Sequence, residues 1–502
     1  MKKLISLILV LVLVLSLAAC KKNDAADNSG RTDITIANAA PIPDFNPVEW
    51  YMSDQSNLFQ NVFSTLVDTV IHDDLTSEFR PNLAKSWETE SDGTVWVFHL
   101  NEKAVFANGD PVTADDVKRC FEYHKDSPYT MSYVSMIESI DVRDEHTVAF
   151  NLTGANASVP ACWYMIAIFD ADLYEANKET FFDNPNGSGP YTVTKMDKTT
   201  GDYTLTLKDN WWGDTKPTIK TINIKTITDK GTLVIALQNG EVDVANLSGT
   251  NYALVEKDSN IDKKETVSLV GFQVLMSANN ETLAAHKELR QAIAYAIDYD
   301  AIRMVTTGGY IASKESTVRF TTLDADLPAG VEKYSYNVAK AKELVASSGL
   351  PTPIDLGELI GGANGAAEMV QQYLAEIGIK VTPQNYENTE FMRKMMSGEF
   401  AIGITTGVGN VSAAETMLNY YGTGMPYNFS KYSNPDVDAL ISTMMTTQNK
   451  TEYLDCLKQA LTIVVEDCPA VDIGLPAQYV CTTHGLYVAP VWNGVDMIVA
   501  HW

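Results

Sequence analysis

Three catalytic signatures are missing from this 502-residue chain: it contains no HExxH, no GxSxG and no Walker A sequence. Zinc-peptidase, nucleophile-elbow and P-loop chemistry therefore have no recognisable starting point. The run Gly407-Val408-Gly409-Asn410-Val411-Ser412 supplies half of a dinucleotide fingerprint and lacks its third glycine. Cysteine is scarce, with Cys20, Cys120, Cys162, Cys456, Cys468 and Cys481 in the whole chain and no CxxC. Such spacing implies no disulfide framework, although one bridge among the last three stays open. Histidine is equally thin, seven residues scattered along the sequence. Cys120 and His124 lie four apart on one predicted helical face, but two ligands are too few for a metal and both fall on the apolar stripe. They read as a buried structural pair, and neither a metal nor another cofactor is implied. Positive charge is outnumbered, 37 Lys and Arg against 64 Asp and Glu, for a net charge of −27. Without a basic patch, nucleic acid binding is excluded, and the acidic balance reads as a solvated surface. Adjacent carboxylates such as Asp73-Asp74 and Asp115-Asp116 are expected in so acidic a chain. The second pair falls in a first helical turn, where negative charge favours the helix dipole, so general acid-base work is not needed to explain it.

Apolar runs long enough to span a bilayer are absent beyond the first twenty residues. Those first residues are distinctive. Lys2 and Lys3 precede an aliphatic stretch from Leu4 to Ala19, broken by Ser6 and Ser16 and ending in Leu17-Ala18-Ala19-Cys20. This is the layout of a signal peptide, 1–19, whose small residues before a cysteine resemble a bacterial lipobox with Cys20 as the acylated residue. An ordinary signal peptide or a short anchor helix is the alternative. Removing the leader with its two lysines takes the net charge from −27 to −29. Lys21 to Thr32 is polar, lacks aromatics and reads as a flexible tether, so that 20–32 joins the lipid to the body. The remaining residues are too many for one core and suggest two or three lobes.

Periodicity outlines an α/β body. Asp33 to Ala37 alternates as a strand, and a Pro-rich turn runs from Pro41 to Pro47. Leu58, Val62, Leu66 and Val67 predict a helix from about Asp54. Asp92-Gly93 marks a hairpin turn before the strand Val95 to Leu100. Thr113 and Asp116 form a capping box for a helix that buries Val117, Cys120, Phe121 and His124. Strands are predicted over Tyr203 to Leu207, Ile222 to Ile227 and from Glu241, with a helix from Thr232 to Gln238. Between Asn337 and Thr406 helices and strands alternate at a spacing that predicts parallel sheet with crossover helices. Ligands bind beyond the carboxyl ends of such strands, where Thr406 to Asn410 fall.

A series of motifs then resembles family 5 solute-binding proteins, the peptide and nickel group of ABC importers. They are Pro81 to Glu88, Ser91-Asp92-Gly93, Val97 to Leu100, Val105 to Val117, Gly187-Ser188-Gly189-Pro190-Tyr191, Asn210-Trp211-Trp212, Gln238 to Asp243, Leu289 to Asp298 and Asn434 to Val437. In family order they span Asp33 to Trp502. The resemblance implies an α/β, two-lobed clamshell of the periplasmic-binding-protein type II kind with an additional inserted domain. Lobe I would take 33–58, 186–271 and 486–502, the inserted domain 59–185, and lobe II 272–485.

It also implies an extracellular receptor, not an enzyme, that grips a small solute between its lobes and delivers it to ABC permease subunits with cytoplasmic ATPases. The protein would be a monomer held by lipid at the outer side of the cytoplasmic membrane, or in a periplasm. Ligand contacts are expected from Glu49, Trp50 and Tyr51 in the loop after Pro47 and from Thr406, Gly407, Val408 and Asn410. Inter-lobe packing is the alternative role of Trp50 and Tyr51. Peptide-binding members typically carry an aspartate just after the segment matching Thr406-Gly407-Val408, to pair with the ligand's amino terminus, and a tryptophan where Val408 stands. Here Asn410 is nearest, leaving Glu415 as the candidate anion, which a buried ammonium requires. Peptide is the family default, with a nickel chelate, an oligosaccharide or another small organic solute as alternatives. A hydrolase lacks its convergent residues, whereas a sensory receptor of the same fold without import stays open.

Overall fold

The computed structural model describes residues 30–42, 45–49, 56–71, 77–127, 130–157, 159–266, 270–313, 334–361, 365–408, 413–447, 449–491 and 494–502. Its first strand, Asp33–Asn38 (β1), buries Ile34 and Ile36 on one face, as their alternation with polar residues predicts. The chain then turns through Pro47–Glu49 and a short helix, Ser56–Val62. Leu66 and Val67 do not continue that helix, despite their helical spacing. Ser64 bridges Ile168, and the Thr65 carbonyl accepts from the Leu83 amide, so tertiary partners take the backbone groups a helix would use.

An inserted domain comes next. Val67–Ile71 (β2) pairs with Ser77–Pro81 (β3). Ala84–Glu90 (β4), Val95–Leu100 (β5), Ile137–Asp144 (β6) and Thr147–Leu152 (β7) form an antiparallel sheet in the order β4-β5-β7-β6. The expected turn at Asp92-Gly93 joins β4 to β5, with Asp92 at φ 56°. Helix Ala114–Lys125 packs across this sheet, and the reciprocal Thr113–Asp116 capping box is in place. Trp163 fills the centre, its ring centroid 4.4 Å from Phe150, 5.0 Å from Phe121 and 5.7 Å from Phe98. Such pairs add about 0.5–1.5 kcal/mol each beyond burial. Cys120 and His124 are both buried on that helix. The Cys120 thiol donates to the Phe169 carbonyl at 3.3 Å, and His124 Nδ1 lies 2.8 Å from Thr130 Oγ1, so the two serve packing.

Beyond the Gly187-Ser188-Gly189 turn the chain rejoins β1. Tyr191–Asp197 (β8), Asp202–Leu207 (β9), Thr221–Thr226 (β10), Val244–Ser248 (β11) and Ile261–Thr266 (β12) build the first large sheet around it. The strand predicted from Glu241 starts only at Val244. The Glu241 amide instead donates to the Ala236 carbonyl, closing helix Lys230–Gln238.

The second large sheet contains Val270–Met276 (β13), Ile311–Ser313 (β14), Ile354–Gly361 (β15), Ile379–Gln384 (β16), Ile402–Val408 (β17) and Ala470–Pro476 (β18), in the order β14-β18-β13-β17-β15-β16. As the spacing predicts, β16, β15 and β17 run parallel, with helices Ala366–Glu376 and Asn388–Ser397 in the intervening connections. Strand β13 runs antiparallel to β17 and β18.

Gln478–Thr483 (β19) returns to the first sheet, between β11 and β12. The chain therefore passes from the second sheet to the first at Ala477, and from the first to the second before Val270. Sequence pattern does not mark these positions, because one strand carries the same alternation in either sheet. A terminal hairpin, Tyr487–Val491 (β20) with Gly494–His501 (β21), ends the chain. The first sheet and the inserted domain share one continuous hydrophobic core, from Ile34 through Trp163 to Met497, whereas the second sheet carries cores of its own. The five cysteines from Cys120 to Cys481 are free and buried. Among the described residues no helix is long and apolar enough to cross a membrane.

Candidate functional site

The core shared by the first sheet and the inserted domain is separate from those of the second sheet. Two connections run between the large sheets, β12 to β13 and β18 to β19. Beside them the rings of Tyr252 and Tyr479 stack at 3.5 Å, and Tyr310 meets Tyr252 edge-on at 5.3 Å. Tyr310 Oη also donates to Glu256 at 3.2 Å, and Gly249, at φ 53°, approaches the Thr307 carbonyl so closely that a Cβ would lie 2.9 Å from it. These contacts tie the first sheet to the second beside the two connections.

The inserted domain also meets the second sheet's helices. The Ala157 amide donates to the Met445 carbonyl at 2.8 Å. Nearby, Cys162 of helix Val159–Trp163 donates its thiol to Glu415 Oε1 of helix Ala413–Tyr421, two side chains 253 residues apart. Both are buried, Glu415 at 9 % exposure. A first-turn position would ordinarily favour the Glu415 carboxylate. Here burial wins and pushes its pKa up to about 7, while the Cys162 hydrogen bond pulls the other way. Burial and the nearby carboxyl together drive the Cys162 thiol well above its usual value. Burial, ahead of the Glu415 carboxyl, raises the Tyr133 phenol, and burial, ahead of Tyr133 and then Glu415, raises that of Tyr164. Trp163 Nε1 donates to the Tyr133 carbonyl at 3.0 Å and holds this aromatic wall to the inserted domain.

A thiol held protonated is a poor nucleophile. Among the described residues no group of three or more His, Cys, Asp or Glu is arranged to hold a metal ion.

Of the residues expected from sequence, Glu415 alone has a described side chain. Thr406, Gly407 and Val408 end β17, paired with Phe272, Gly271 and Val270, and only their backbone is described. Glu49 closes the turn Pro47–Glu49, its side chain likewise outside the described set. That turn is fixed by Asn46 Oδ1, which accepts from the Val48 amide at 3.0 Å, and by Ser127 of the inserted domain, whose hydroxyl donates to the Val48 carbonyl. Trp50, Tyr51, Asn410 and Cys20 lie outside the described residues. Sequence reasoning missed Cys162, Tyr133 and Tyr164, because nothing local distinguishes them from core residues of the inserted domain.

Two bodies joined by two connections thus meet at the Tyr252–Tyr479–Tyr310 cluster and again at the Ala157–Met445 and Cys162–Glu415 contacts. Residues 78–429 match the model of the bacterial extracellular solute-binding proteins, family 5. The chain belongs to this family. Family 5 receptors are the extracytoplasmic solute-binding proteins of ABC importers, and the architecture is the type II clamshell with an inserted domain. Heme-binding protein A of Haemophilus influenzae is 26% identical, with 91% of each chain covered. The dipeptide-binding protein of Escherichia coli is 26% identical over 79% of this chain and 81% of its own. Among solved structures, HbpA2 from Haemophilus parasuis superposes with a TM-score of 0.82 at 21% identity, over 93% of this chain and 99% of that one, a likeness of fold. The family's members are substrate-binding transport proteins and are not enzymes.

Proposed function

We propose that this family 5 receptor captures a small solute between its two lobes, leaves it chemically unchanged and hands it to an ABC permease, while lipid on Cys20 keeps it at the outer face of the membrane. The supporting observation is mechanical: an inserted domain fused by a common core to the first sheet, facing a second body across two strand connections. Clamshell closure then stabilises one global state through contacts from both sides, and a membrane partner can read that state. Lobe I would comprise 33–58, 186–269 and 477–502, the inserted domain 59–185, and lobe II 270–476.

Within the cleft, Glu49, Trp50 and Tyr51 from one side and Thr406, Gly407, Val408 and Asn410 from the other are our candidates for ligand contact. For Glu415 we favour a part in sealing the cleft over pairing with a ligand amine, since Cys162 already occupies its carboxyl. A short peptide is the leading ligand, on the strength of the dipeptide-binding relative, and a second reading as a heme receptor rests on the Haemophilus influenzae protein.

Native mass spectrometry of freshly purified protein, followed by calorimetry with dipeptides, heme, nickel–histidine and oligosaccharides, tests this reading. One class is expected to bind at one molecule per chain, and Trp50→Ala is expected to weaken it about tenfold, as loss of a buried aromatic contact would. Absence of binding in every class, or conversion of a bound molecule into product, would overturn it.

A further inference from the structure

Glu415 stands where two bodies meet, and among the described residues the Cys162 side chain links it to the far one. Among the described residues, its polar contact beyond its own lobe is with Cys162 of the inserted domain. The described groups facing it carry no positive charge. From the inserted domain these are the Cys162 thiol and the phenols of Tyr133 and Tyr164. From its own lobe, Tyr420 and Tyr427 face the Tyr133 phenol of that set. The Tyr453 phenol of the neighbouring helix Lys450–Asp467 accepts from the Ala414 amide at 3.2 Å. On helix Pro435–Thr446, Asp438 is occupied by Thr423, whose amide donates to it at 2.9 Å. Among the described residues no lysine, arginine or histidine is paired with Glu415. An ionised carboxylate in that setting is desolvated with only a weak thiol donor in compensation, whereas a neutral carboxylic acid is not penalised.

We propose that Glu415 is a proton-dependent latch: its carboxyl group seals lobe II against Cys162 of the inserted domain in the neutral form, so that closure of the clamshell takes up a proton. The proposal rests on the solute-receptor reading of the cleft. When the lobes part, Glu415 meets water and regains the acidity of an ordinary glutamate, near 4.5, whereas closure raises it to about 7. The closed form therefore holds the proton more tightly. Its advantage is complete below pH 4.5, falls as pH rises through the interval, and is fully lost above pH 7. Across the upper part of that window, from pH 5.5 upward, the closed population relative to the open one is expected to fall by about tenfold or more.

Cys162 itself reports the state, since its thiol is buried at the seam. The full chain is treated with N-ethylmaleimide at pH 5.5 and at pH 8, and labelling of Cys162 is followed by peptide mass spectrometry in the native protein and in Glu415→Gln. Comparing the two proteins at the same pH cancels the intrinsic pH dependence of thiol reactivity. At pH 8 native Cys162 is expected to label about ten times faster than in Glu415→Gln, and at pH 5.5 the two rates converge. An equal ratio at both pH values, or faster labelling in the variant, overturns the latch. Should Glu415→Gln fail to fold, small-angle scattering of the native protein decides: a radius of gyration that does not increase from pH 5.5 to pH 8 overturns it equally. Neither readout requires a ligand. A flat ratio with intact solute binding sinks the latch alone, and a failed binding screen with a pH-dependent ratio sinks the receptor reading alone.

Discussion

Single side chains in this protein are decided by what burial does to charge. Lys208 is 7 % exposed, and its ammonium donates to the Gly187 carbonyl at 3.2 Å; no carboxylate among the described residues pairs with it. Burial pulls its pKa down to about 7. A lysine so depressed costs nothing above its unfolded value of 10.5; the cost grows as pH falls from there and is complete below pH 7. Lys208→Met is therefore expected to stabilise the protein by about 1–2 kcal/mol at pH 6 and by nothing measurable near pH 11. Urea unfolding at the two pH values checks this. No feature of the sequence around Lys208 announces its isolation, since a lysine beside Asp209 reads as an ordinary surface residue. Asp116 shows the opposite case. Its capping partner is three residues away, and a local rule locates it, although burial raises its pKa and the Ala171 amide adds a bond at 3.2 Å that no local rule contains.

At the scale of elements, the informative positions are those where backbone meets backbone. The Asn186 to Pro190 turn carries the chain out of the inserted domain, and it packs directly on the end of helix Ser56–Val62, where that domain began. A Cβ on Gly187 would lie 2.1 Å from the Val62 carbonyl oxygen, and one on Gly189 would lie 2.6 Å from the Val62 carbonyl carbon. Neither contact can be relieved by rotating a side chain. Gly187→Ala is expected to cost about 2–3 kcal/mol or more, seen as a lowered thermal midpoint. Gly154→Ala is the matched control, because a Cβ there meets nothing within 4 Å. The motif Gly-Ser-Gly-Pro-Tyr is visible in the sequence as a family signature. Its reason, the suture between entry and exit of the inserted domain, is not. Elements fixed by short-range periodicity, such as β15, β16 and the helix Ala366–Glu376 between them, lie within a few residues of their expected bounds. The helix expected to reach Val67 does not, because tertiary partners take its backbone groups, and the strand expected from Glu241 starts late because the Glu241 amide closes the preceding helix on Ala236.

For the whole molecule the proposed division of labour is between a tether and a clamp. The tether is expected to stay outside the folded body, so Cys20→Ser should move the protein from the membrane to the soluble fraction while leaving solute affinity unchanged. Ultracentrifugal fractionation and calorimetry of the released protein check the two halves of that statement. Retention in the membrane fraction would show that some other segment anchors the chain. The clamp depends on geometry at both ends of the cleft, the Tyr252–Tyr479–Tyr310 stack beside the strand crossings and the Glu415–Cys162 contact at the mouth.

By itself the sequence determined the features that neighbours a few residues apart dictate: the caps, the alternating strands, the parallel α/β run and the ordered motifs that place the chain in its family. Tertiary structure decided the features that depend on distant partners. It set the sheet that β19 joins, brought Cys162 to Glu415, and buried Lys208 with a carbonyl instead of a carboxylate for company. The physical reason is range. Hydrogen-bonded periodicity and capping act along the chain and leave a pattern in it, whereas desolvation depends on which distant surface arrives, and a carboxyl or an amine carries no mark of that in its own neighbourhood.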